Sequence, residues 1–97
     1  MPNEADSAFY TRADEHIDLS NKQLARVDNS GMVSASMMFA TARYNAWISA
    51  RQYGTKEQLL ANREEALKYF CEQYRLALVE NLDDYIQNFD QYMAKPQ

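Results

Sequence analysis

The stretch that most constrains this chain is residues 31–53, GMVSASMMFATARYNAWISARQY. Its large apolar side chains, Val33, Met37, Met38, Phe39, Trp47 and Ile48, do not keep to one stripe at helical spacing, and Ala or Ser fills the gaps. Only Arg43, Asn45, Arg51 and Gln52 are both large and clearly polar. A helix that is apolar on every side has no face to give to water, so it is read as a buried helix. The segments before and after it must then cover it, and Phe39, Ala46 and Trp47 should be poorly accessible.

Breakers are scarce. The 97 residues include two Gly and two Pro, and within the body of the chain only Gly31 and Gly54 interrupt it. Long helices joined by short turns are the natural outcome. A hydrophobic content of 46% with 25% charged residues is globular in character and argues against disorder. The length suits one small domain, placed at residues 7–93, with 1–6 and 94–97 as flexible ends.

The helical period of three and four runs through Phe9, Ala13, Ile17, Ser20, Leu24 and Val27, which gives a first helix over about 7–27 started by Asp6 or Ser7. Residues 28–31, Asp-Asn-Ser-Gly, form a turn by composition, with Ser30 placed to cap the middle helix. That helix runs over 32–53 and ends at Gly54, which tolerates the left-handed conformation of a helix C-terminus. Thr55-Lys56-Glu57-Gln58 matches a capping box, so a third helix starts at once. So short a joint folds the two helices into an antiparallel hairpin. The fold class is therefore all-α: an antiparallel helical bundle of three long helices.

The third helix is overlong. Taken from 56 to 93 it spans ~57 Å, against ~32 Å for each of the first two. Everything past Leu78 then overhangs the hairpin. On that overhang Leu78, Leu82, Tyr85, Ile86, Phe89 and Tyr92 share one face, with Glu80, Asp83, Asp84, Asn88 and Asp90 largely elsewhere. Burying six such side chains is worth on the order of 10 kcal/mol before entropy, and a lone amphipathic segment of ~15 residues is marginal in water. Two outcomes stay open. Either the segment meets a second copy of the chain, or it breaks near Asn81, a helix-start residue followed by Asp83 and Asp84, and returns as a fourth helix.

Charge narrows the function classes. The formal net charge is −4, which argues against a nucleic-acid binder. Residues 29–56 hold Arg43, Arg51 and Lys56 and no acid, whereas 76–97 hold four acids against Lys95. No run approaches the ~20 apolar residues of a membrane span. Residues 1–10 lack the apolar core of a secretory signal, and Cys71 is the single cysteine, which fits a reducing, cytoplasmic setting.

Candidate chemistry is thin. A carboxylate-bridged dimetal bundle wants Glu-x-x-His on its helices, but the residue three before His16 is Ala13 and no second His exists. Glu65 and Glu72 lie two turns apart and read as solvated acids. Cys71 has Phe70 and Tyr74 as helical neighbours and nothing basic to activate it, which makes it a packing cysteine, buried or half-buried. Seven Tyr and four Phe exceed what one small core needs, and Tyr is enriched at interfaces. Arg43 stands alone in the apolar middle helix and must be paired if buried; Glu65 is its first candidate, ahead of Asp14 and Glu15. No catalytic motif and no cofactor is indicated.

Residues 9–14 (FYTRAD), 33–46 (with VSASMMFA and ARYNA), and 69–75 (YFCEQYR) with 80–86 (ENLDDYI) resemble a small family of uncharacterised proteobacterial helical proteins, a domain of unknown function. The likeness covers most of residues 9–92. It implies a bacterial, cytosolic, helical protein and transfers no activity or site residue. The expected function is a non-enzymatic helical interaction module, self-associating through the C-terminal half of the third helix as a homo-oligomer such as a homodimer. The alternatives are a bundle that binds a small molecule or metal, and an adaptor whose acidic end docks a basic partner protein.

Overall fold

Asp6 turns its backbone and side chain onto the next residues. In the computed structural model, which describes residues 6–94, its main-chain oxygen accepts from the Phe9 N–H at 3.1 Å and its Oδ1 from the Ala8 N–H at 3.1 Å. Its carboxylate also holds the Arg12 guanidinium, which keeps Asp6 ionised to lower pH than an ordinary carboxylate. The first helix, α1, follows as Phe9–Val27. Then come α2 (Ser30–Tyr53), α3 (Lys56–Ala61), α4 (Arg63–Gln87) and α5 (Phe89–Met93). Of the described residues 89% are helical and none is in a strand, so the all-α class holds, with three long helices and two short ones. The remaining ends, 1–5 and 95–97, expected to be flexible, lie outside the described residues.

The joints follow local chemistry. Asp28 ends α1 in the left-handed region, at φ 51°, a conformation that short polar side chains tolerate. The cap of α2 is Asn29, whose Oδ1 accepts from the Met32 N–H at 3.1 Å, and not Ser30, which is the first residue of the helix. Both residue types cap well, and the earlier one takes the role. Gly54 stands at φ 81° with nothing within 4 Å of where a Cβ would sit; another residue there would meet backbone strain rather than a clash. Thr55 Oγ1 then accepts from the Gln58 N–H at 3.1 Å, the cap expected from its sequence.

The third helix is neither continuous from 56 to 93 nor broken near Asn81. α4 passes through Asn81 unbroken, and the interruptions fall at Asn62 and Asn88. At those two residues ψ swings to 12° and 32°, far from the −42° of a helix. All three Asn side chains donate back to the carbonyl four residues earlier, competing with the helical ladder. Asn62 and Asn88 each have a further pull. The Asn62 N–H divides between Gln58 O and Leu59 O at 3.1 and 3.2 Å, and the Asn88 amide is also held by the Asp84 carboxylate at 2.8 Å.

The described residues divide into two units, one up to Ile48 and the other from Ser49, with α2 passing from the first into the second. In the first, α1 meets α2 beside their joining turn, where Gln23, Arg26 and Val27 line a groove with Met32, Val33 and Ser36. Val33 is buried there and Leu24 and Met37 are half-buried. In the second, Ser49 is buried, and Tyr53, Leu59, Ala66, Phe70, Gln73 and Leu76 are half-buried.

The expected burial of the middle helix is overturned. Phe39 is 69% and Trp47 51% exposed, and Ala46 is exposed as well. Among the described residues only Val33 and Ser49 are buried. The all-round apolar character of α2 is real, but its neighbours cover it only at small or isolated positions.

Candidate interaction face

α4 carries apolar side chains on two neighbouring sides. One side, with Ala66, Phe70 and Leu76, is half-buried. Next to it runs a bare ridge at steps of three and four, Leu67, Cys71, Tyr74, Leu78, Leu82 and Ile86, continued on α5 by Phe89 and Met93. Its exposure is 41% at Leu78, 53% at Leu82, 73% at Ile86 and 58% at Phe89.

The six residues assigned from sequence to one interface thus divide. Leu78, Leu82, Ile86 and Phe89 stand exposed on the ridge, whereas Tyr85 and Tyr92 are half-buried to one side of it. The two tyrosine rings lie 4.4 Å apart between centroids, tilted by 32°. Beneath them the Asp84 carboxylate accepts from the Tyr92 hydroxyl at 2.8 Å on Oδ2 and from Asn88 Nδ2 at 2.8 Å on Oδ1. The hydrogen bond that Tyr92 donates, with its partial burial and the Asp84 charge, pushes the phenol above its ordinary pKa. Sequence reading missed this cluster and also missed Met93. The signal was available in the i, i+4, i+8 spacing of Asp84, Asn88 and Tyr92 on one helical face.

The other candidates are all exposed, and one of them lies on the ridge itself. Arg43 and Glu65 are both exposed. Cys71 is exposed on the ridge, not buried as a packing residue. Glu72 accepts from Arg75 through two hydrogen bonds of 3.0 and 2.9 Å, which holds its carboxyl below the usual range. His16 is exposed, and among the described residues no three His, Cys, Asp or Glu side chains gather as metal ligands do. The groove between α1 and α2 has a volume of about 270 Å³, just under the ~300–1,000 Å³ of most small-molecule sites. No helix of the described residues is long and apolar enough to cross a membrane. What the arrangement offers chemically is apolar contact area, with the Glu72–Arg75 pair beside it.

Neither the curated proteins nor the solved structures contain a match to this sequence. Residues 9–86, from the start of α1 almost to the end of α4, match the model of a family described as protein of unknown function (DUF3144), and the chain belongs to that family.

Proposed function

We propose that this protein is a non-enzymatic helical interaction module of the cytoplasm that self-associates through the C-terminal half of α4 together with α5. Residues 7–93 act as one module in this reading. The observation that carries it is the bare ridge from Leu78 to Phe89. Contiguous exposed apolar surface marks association sites, and each such side chain gains ~1.5–3 kcal/mol when fully covered.

Light scattering at tens of micromolar tests this. The wild-type chain should run as an oligomer, and Phe89→Asp, which places a charge among the aromatic and aliphatic anchors that dominate interface energy, should convert it to a monomer. A wild-type monomer would end the proposal.

A further inference from the structure

The ridge is not one rigid surface, because its last two members sit on α5, beyond the break at Asn88. A five-residue helix has no stability of its own in water. Something must fix its direction. The candidates are the contacts back to α4, and they converge on one carboxylate. Asp84 uses both oxygens, Oδ1 toward Asn88 at the break and Oδ2 toward Tyr92 in α5, at 2.8 Å each. The Tyr92 ring closes over Tyr85. All four residues are half-buried while Phe89 and Met93 point away and stay exposed.

We propose that Asp84, Asn88 and Tyr92 form a latch that fixes α5 to the end of α4 and so sets Phe89 and Met93 in line with Leu82 and Ile86. The latch stands on its own geometry; its use in assembly rests on the self-association proposed above. It is closed when Asp84 is ionised and Tyr92 is neutral, because the carboxylate then accepts and the phenol donates. The groups facing the Tyr92 hydroxyl are Asp84 and Tyr85. Their surroundings favour the neutral phenol, so the latch contributes its stability below the ordinary tyrosine pKa of about 10. That contribution is lost as pH rises through the higher folded value, where two anions would face each other.

Three variants of the full chain test it. In wild type, absorbance titration should show one tyrosine ionising later than the rest. Tyr92→Phe should remove that late step, and Asp84→Asn should return it to the ordinary range. Both should speed amide exchange in α5 by about tenfold or more, the scale of losing a hydrogen bond to a charged group, and weaken association by a similar factor. Ile86→Asp should do the reverse, abolishing association while leaving the titration and the α5 exchange as in wild type. Tyrosines that all ionise together in wild type, or α5 exchange unchanged in both latch variants, would overturn the latch. A monomeric wild type would instead remove only the self-association, with exchange and titration still deciding on the latch.

Discussion

Arg43 shows how exposure resets the size of an effect. Among apolar neighbours in sequence it reads as a charge that must be neutralised, and breaking a buried pair costs ~3–5 kcal/mol. In the folded chain both it and Glu65 face water, and an ion pair in that setting is worth at most ~1 kcal/mol. A double-mutant cycle of Arg43→Ala and Glu65→Ala should therefore give a coupling below about 1 kcal/mol. A coupling of zero removes the pair, and one of several kcal/mol would mean that association buries it. The caps were readable at this scale because their chemistry is local. Gly54 and Thr55 announce a stop and a start within two residues, and the Thr55 hydroxyl accepts from Gln58 as that pattern requires. Asn29 and Ser30 are both good caps one residue apart, and nothing local ranks them.

Among the elements, α2 separates what periodicity can and cannot tell. The all-round apolar run over residues 31–53, closed by Gly54, predicts a helix, and α2 runs from Ser30 to Tyr53. Burial did not follow, because it depends on which surfaces lie opposite, and periodicity carries no record of those. The interruptions at Asn62 and Asn88 were hidden for a related reason. Asn81 makes the same back-bond to the i−4 carbonyl, and only a second partner, the Leu59 carbonyl or the Asp84 carboxylate, tips the other two out of the helix. For Phe39, 69% exposed, the consequence is measurable. A core Phe→Ala costs ~3–5 kcal/mol, but here the lost contacts are few and Ala is the better helix former. Phe39→Ala should leave the denaturation midpoint nearly unchanged. A loss of core size would show that α2 is covered in solution, which would extend the interface beyond the ridge.

For the molecule as a whole, the burial pattern makes stability a question of concentration. Only two of the described residues are buried, whereas a domain near this length needs a core large enough to offset about 1–2 kcal/mol of backbone entropy per residue. If a second copy supplies the missing cover, folding and association are one equilibrium, and apparent stability depends on protomer concentration. Each tenfold increase then adds ~1.4 kcal/mol per dimer. Shared over two chains of this size, that corresponds to a Tm rise of about 3–5 °C. The rise should survive added salt, since screening weakens exposed charges over a Debye length of ~10 Å at 0.1 M and leaves apolar burial intact. Phe89→Asp should flatten the dependence, as its chain has no partner to gain. Calorimetry of the wild type over a hundredfold range of concentration reads this directly. A Tm that does not move would mean that each chain folds without a second copy and that the ridge from Leu78 to Phe89 is not where this protein assembles.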